Sequence, residues 1–193
     1  MEQRANTTER ILESAYELMQ TRGYNAFSYA DVAERVGIRT ASIHYHFPAK
    51  ADLAREVCAR YRSALVEALA TIDRELADPA DRLHRFVALQ GGGIDRRPPM
   101  CLCALLAAEC PTLPEEVNVE VRGFLSDQEA WLTRVLSEGA ATGLFSLAVT
   151  PDEAARVLRA GLEGAMLAAR AYDDRKRYDA IAQPLLTALV RSK

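Results

Sequence analysis

The segment from residue 35 to residue 50 contains the side chains best suited to bind a polyanion. It has three cations, Arg35, Arg39 and Lys50, and no acidic residue. Hydrogen-bonding side chains cluster from residue 39 to residue 46: Arg39, Thr40, Ser42, His44, Tyr45 and His46. The whole chain carries a formal net charge of −3. A nucleic-acid partner would therefore have to be bound by this local basic patch rather than by the overall charge.

The residues around this patch have the spacing of a helix-turn-helix. A helix that begins at Ser28 turns Val32 and Val36 inward and ends at Gly37, where a turn often needs positive φ. A second helix, from residue 39 or 40 to residue 46, directs Ile43 toward the first. A short helix supported in this way presents its outer face to a DNA major groove. The alternative is a solvated polar face without a partner.

Composition and periodicity predict an all-α chain. Its 193 residues include 33 Ala and 23 Leu but only 18 Val plus Ile, a balance that favours helices. We expect about nine helices: 6–22, 28–36, 39–46, 50–77, 80–90, 100–110, 115–141, 151–172 and 178–192. Asn6 and Glu9 are spaced as a capping box for the first helix, and Thr150, Pro151 and Glu153 as the start of the eighth.

Residues 10–53 resemble the DNA-binding domain of TetR-type (TetR/AcrR) transcriptional repressors. The resemblance lies in 28–33, 36–38 and 42–50, and its most specific mark is Tyr45 and Phe47 followed by Lys50 and Leu53. It implies a helix-turn-helix domain over 1–49 and a helical sensor and dimerisation domain over 50–193. It also implies a homodimer that binds a palindromic operator in double-stranded DNA and is released by a small-molecule inducer.

The resemblance assigns a role to each matching position. Thr40, Ser42 and His44 would face base edges, and Arg39 would reach bases or backbone. The phosphate contacts would come from Tyr45, His46, Lys50, and Ser28 or Tyr29. The last two helices of such proteins pair across the two-fold axis. Small residues over 160–169 and the apolar positions Leu185, Leu186, Leu189 and Val190 would form that surface here.

Residues 101–115 resemble the sensor domain of the N-ethylmaleimide-reductase repressor and its relatives, which respond to electrophiles through cysteine. Cys101 falls on the reactive cysteine of that subgroup, whereas its second cysteine falls on Pro111, next to Cys110. Independently, Cys101 would lie in the first turn of a helix after Arg96 and Arg97, where a thiolate is favoured.

The spacing of these cysteines disfavours a disulfide within the predicted helix. Cys101 and Cys103 would face about 200° apart, and Cys103 and Cys110 would lie about 10.5 Å apart along one face. We therefore expect Cys101 alone to be modified, or a bridge to another chain. The alternative is that Cys101, Cys103 and Cys110 are small core residues and that the inducer is a noncovalent apolar molecule.

Other classes of function find little support in the sequence. No stretch approaches 18 consecutive apolar residues and the N-terminal residues lack an apolar signal segment, so we expect a cytoplasmic protein with no membrane partner. His44 and His46 face apart on a helix, and no ligand set completes a metal site or suggests a cofactor. His84 is the remaining histidine and lies in a helix, so we do not expect an enzyme. A structural interaction module without DNA binding remains an alternative.

Overall fold

The computed structural model describes residues 2–91 and 101–189, and side chains from residue 6 onward. Its regular elements there are helices, so the all-α prediction is confirmed. They are α1 (Glu2–Arg22), α2 (Tyr29–Val36), α3 (Thr40–His46), α4 (Lys50–Glu75), α5 (Pro79–Gly91), α6 (Leu102–Ala107), α7 (Glu115–Ala141), α8 (Pro151–Ala171) and α9 (Lys176–Thr187). A 3₁₀ turn, Cys110–Thr112, lies between α6 and α7.

The first helix begins earlier than its sequence signal. It starts at Glu2, so Asn6 and Glu9 lie inside α1 and the predicted capping box there is wrong. Residues 2–5 are Glu, Gln, Arg and Ala, all good helix formers, and nothing in them stops the helix. The predicted start of α8 is confirmed, because Pro151 is its first residue and the Thr150 N–H donates to Glu153 at 3.0 Å.

The helix predicted over 100–110 is shorter in the structure. α6 ends at Ala107, and Cys110 belongs to the 3₁₀ turn that follows. Pro111 lacks an N–H and disfavours α geometry in the residue before it, which explains the early end. Cys103 and Cys110 therefore do not share one helix, and their predicted distance along a helical face is wrong. Arg96 and Arg97, expected to favour a Cys101 thiolate, lie outside the described residues.

The chain divides into two compact units, residues 1–64 with 102–124 and residues 65–101 with 125–193. The first unit has a core of aliphatic side chains from α1 to α4, including Ile11, Leu18, Met19, Ile43 and Leu53. In the second unit the Tyr178 hydroxyl donates to the Val87 carbonyl at 2.8 Å, joining α9 to α5. The division predicted between residues 49 and 50 falls within the first unit, and as a functional boundary it stays a prediction.

Candidate nucleic-acid interface

Local hydrogen bonds define both ends of α2. The Ser28 N–H donates to Asp31 Oδ2 at 2.7 Å, and the Asp31 N–H donates to Ser28 Oγ at 3.3 Å, which completes a capping box. The hydrogen bond from the Ser28 hydroxyl is the main reason that the pKa of Asp31 lies below its ordinary value. At the other end Gly37 is left-handed, with φ 73°, and its N–H donates to Ala33 at 2.9 Å. The predicted turn is thus confirmed.

The third helix has one buried and one exposed face. Ile43 is completely buried against the rest of the first unit, as predicted. The exposed positions are Arg39, Thr40, Ser42, His44 and Tyr45. Tyr45 is 66% exposed, a large value for an aromatic side chain. The structure therefore brings most of the predicted binding residues together on a single solvent-facing surface, which we call the α3 surface (Arg39, Thr40, Ser42, His44 and Tyr45).

Two predicted contact residues are turned toward the protein instead. Tyr29 is buried, and its hydroxyl donates to the Phe47 carbonyl at 2.8 Å. Burial raises its pKa to about 12, and nearby Asp52 adds to that rise. His46 is half-buried, and its Nδ1 lies 3.1 Å from the Thr8 hydroxyl of α1. Of the pair Ser28 and Tyr29, the exposed Ser28 is the better candidate for a phosphate contact.

Lys50, the first residue of α4, lies on two aromatic rings. Its Nζ is 4.4 Å from the ring centres of both Tyr24 and Phe27. Burial lowers the Lys50 pKa from its ordinary value, and the negative charges of Glu109 and Asp31 oppose that change. The cation is thus held in a defined position near the start of α4.

The first helix supports this region through contacts that sequence reasoning missed. Arg10 Nη2 donates to the Val36 carbonyl at 2.6 Å, at the end of α2. Arg35 pairs with Glu17 at 3.0 Å. Residues 35–50 themselves contain no acid, but another helix places the Glu17 carboxylate next to this basic patch. Arg10 and Glu17 are seven residues apart and so lie on one face of α1, but no local pattern indicates that this face contacts α2.

The cysteines differ in accessibility. Cys58, Cys101 and Cys103 are buried, whereas Cys110 is partly exposed. Burial raises the pKa of the Cys58 thiol to about 12, and the charge of Glu120 contributes further. Cys101 is the predicted sensing residue, with Cys103 and Cys110 as possible ones, and of these three Cys110 is the most accessible to a reagent.

The small-residue surface predicted on α8 lies partly inside the chain. A Cβ on Gly161 would come within 2.7 Å of Leu185 on α9, and Leu162, Ala165 and Leu186 are buried in the second unit. That part of the predicted dimer surface is wrong, because these positions join α8 to α9 in one protomer. Val190, also predicted there, lies outside the described residues. Ala160 and Gly164 of the predicted surface do lie on the outward face of α8, together with the exposed Val157 and Leu167.

Neither a metal centre nor a membrane span is present among the described residues. No group of three or more His, Cys, Asp and Glu side chains there is arranged to hold a metal ion. No helix in the described part of the chain has the length and apolar character needed to cross a membrane.

Comparison with known families identifies the class of protein. Residues 11–57 match the family model of bacterial regulatory proteins of the tetR family. Residues 79–185 match the model of the tetracyclin repressor-like C-terminal domain. Because the second match alone spans more than half of the chain, the chain belongs to the TetR family of DNA-binding transcriptional regulators. It is a regulator and not an enzyme.

Individual relatives agree with this assignment. A TetR-family regulator from Agrobacterium tumefaciens has a TM-score of 0.94 and 40% identity, covering 97% of this chain and 100% of its own. The HTH-type transcriptional repressor DhaR of Mycobacterium sp. (strain GP1) is 23% identical, over 98% of this chain and 95% of its own. Reduced NemR of E. coli has a TM-score of 0.83 over 95% of this chain and 97% of its own. NemR is only 18% identical, so this likeness shows the fold and leaves the expected electrophile-sensing subgroup a hypothesis.

Proposed function

We propose that the protein is a transcriptional repressor that binds a palindromic operator as a homodimer, with one α3 helix in each half-site. The observation that carries the proposal is that α3 has two distinct faces. Ile43 on one face is completely buried, whereas the α3 surface on the other is exposed. Thr40, Ser42 and His44 would contact base edges, while Lys50 would contact a phosphate. Dimeric helix-turn-helix proteins bind half-sites separated by about one helical turn of DNA, which accounts for palindromic operators.

A selection from random duplexes tests operator binding whichever gene the protein regulates. The selected DNA should contain an inverted repeat. Fluorescence anisotropy should then show tighter binding to the full repeat than to a half-site, with affinity that falls as salt rises. Enrichment of no sequence, or binding that is insensitive to salt, would contradict the proposal and favour an interaction module without DNA binding.

The outward face of α8 supports the dimer part of the proposal. Val157 is 63% exposed and Leu167 is 53% exposed. Ala160 and Gly164 lie between them on the same face and would allow a second helix to approach closely. Ile181 on α9 is also exposed. Because large exposed apolar side chains on one surface favour association, a second copy of the chain is the occupant we propose.

The releasing signal we propose is a small apolar molecule, and the supporting observation is Gln128. This α7 side chain is 1% exposed, and neither Oε1 nor Nε2 has a hydrogen-bond partner among the described residues. Leaving a buried amide unpaired costs about 1–3 kcal/mol, so such a group is retained where it has a use. Trp131 and Leu132, one turn further along α7, are buried as well. An apolar ligand with one neutral hydrogen-bonding group would pair with one of these two amide atoms.

A matched pair of probes tests that assignment. We expect 1-octanol to raise the melting temperature more than n-octane does, since only the alcohol can bond to Gln128. This difference in melting temperature between the two probes should disappear in Gln128→Leu. If the amide has no ligand role, the two probes should change the melting temperature of the wild type equally.

The alternative signal is covalent modification of a thiol. It predicts that N-ethylmaleimide releases the operator and that one Cys→Ser substitution prevents release. Cys110→Ser should protect if accessibility decides the reaction, and Cys101→Ser should protect if the resemblance assigns the residue correctly. Operator binding that survives alkylation in the wild type would leave the noncovalent signal.

A further inference from the structure

A carboxylate from the turn after α6 lies against the turn between α1 and α2. Glu109 Oε2 accepts a hydrogen bond from the Tyr24 N–H at 2.6 Å. Its Oε1 accepts weaker ones from the Asn25 N–H at 3.4 Å and from Asn25 Nδ2 at 3.3 Å. Gly23 is left-handed, with φ 79°, and a Cβ there would come within 2.7 Å of Glu109. The turn is thus shaped to receive this side chain.

The 3₁₀ turn holds Glu109 in place from its own side. The Thr112 hydroxyl donates to the Glu109 carbonyl at 3.0 Å and accepts a hydrogen bond from Asn25 Nδ2 at 2.8 Å. All of these residues belong to the first compact unit. The two turns are therefore joined by a connected set of hydrogen bonds.

Tyr24 connects this contact to the DNA-binding region. Its backbone donates to Glu109, while its ring lies 4.4 Å from the Lys50 ammonium group. The Glu109 carboxylate also attracts Lys50 electrostatically. Glu109 thus has two effects on Lys50. It holds the residue whose ring contacts the Lys50 ammonium group, and its negative charge competes with any other anion for that group.

We propose that Glu109 is a positioning residue for operator binding, with two opposed effects. Its hydrogen bonds hold the turn and the Tyr24 ring in the geometry that presents Lys50, which favours binding. Its negative charge attracts Lys50 away from a DNA phosphate, which opposes binding. The proposal rests on the phosphate contact of Lys50 in the proposed function.

Two substitutions at residue 109 separate these effects. Glu109→Gln keeps an oxygen for the Tyr24 N–H and removes the charge, so the affinity for the selected operator should rise about two- to fivefold. The dependence of log affinity on log salt should become steeper, by up to about one unit, as Lys50 engages its phosphate fully. Glu109→Ala removes both effects and should weaken binding at least about threefold, with a shallower salt dependence. A purely structural role would lower affinity in both variants and would not steepen the salt dependence.

Lys50→Met supplies the control. Alone it should weaken binding and reduce the salt slope by about one. If Lys50→Met changes neither the affinity nor the salt slope, Lys50 does not contact a phosphate, and the proposed charge effect of Glu109 is wrong as well.

If Lys50→Met behaves as expected, the double variant with Glu109→Gln should bind like Lys50→Met itself. A gain from Glu109→Gln that persists without Lys50, or wild-type binding by Glu109→Ala, would overturn the proposal. Circular dichroism of each variant identifies any loss of folding.

Discussion

Tyr29 shows how a single residue can match a family pattern and serve another purpose. The resemblance offers it as a phosphate contact, yet its hydroxyl bonds to the Phe47 carbonyl inside the protein. Its ring also packs against His44, with 4.7 Å between ring centres. Tyr29 thus contacts both α3 and the residue that follows it, and we expect the stability of this region to depend on its hydroxyl.

Replacing Tyr29 by Phe should lower the free energy of unfolding by about 1–3 kcal/mol at pH 7, because the Phe47 carbonyl loses its partner. The folded state holds the Tyr29 pKa at about 12, above the ordinary value near 10. The stability from its neutral form is therefore complete below pH 10 and is lost as the pH rises toward 12. Urea unfolding of wild type and Tyr29→Phe should converge over that interval.

Tyr172→Phe is the matched control, since it removes the same hydroxyl from a side chain that is 65% exposed. It should leave the unfolding free energy within about 0.5 kcal/mol of wild type at pH 7. An equal loss in both variants would contradict a specific role for the Tyr29 hydroxyl.

At the scale of the element, α3 is only seven residues long and depends on its neighbours for stability. Helices this short are not stable alone in water, so the burial of Ile43 and the contacts from α1 and α2 must hold it. On the opposite face His44 packs against Tyr29, whereas Thr40 and Ser42 are exposed. Substitutions at Thr40 and Ser42 should therefore affect DNA binding and leave folding almost unchanged.

Ser42→Ala should lower affinity for the selected operator about two- to tenfold, as expected for loss of one hydrogen bond to a base. Affinity for random duplexes and the salt slope should stay unchanged, since the hydroxyl carries no charge. Ser63→Ala, at an exposed position of α4, is the matched control and should bind like wild type. Equal losses of Ser42→Ala on operator and random DNA would indicate a backbone contact instead of a base contact.

At the scale of the whole molecule, the proposed dimer requires the outward face of α8 to be covered. Val157→Glu places a charge on that surface, where burial without a partner is costly. We expect light scattering to give half the wild-type mass and operator affinity to fall by more than tenfold.

Val119→Glu provides the control, because Val119 is an exposed valine of α7 in the first unit, at 48% exposure. This variant should keep the mass and operator affinity of the wild type. A wild-type monomer in solution, or a Val157→Glu protein that remains dimeric, would exclude this surface as the interface.

Features that depend on near neighbours in the chain could be predicted from the amino-acid sequence alone. The helix start at Ser28, the turn at Gly37 and the exposed face of α3 follow from residues within a few positions of one another. Local hydrogen bonds and helical periodicity encode such features directly. The family resemblance rests on this same compact segment.

The tertiary structure was needed to establish which of these side chains already have a partner. Tyr29 and His46 turn inward toward Phe47 and Thr8, and Arg35 meets Glu17 of another helix. Glu109 reaches Tyr24 across 85 residues of chain. Burial likewise separated the partly exposed Cys110 from the cysteines that share its sequence neighbourhood. Such relations depend on how helices pack, and no local pattern specifies the distance between residues so far apart in sequence.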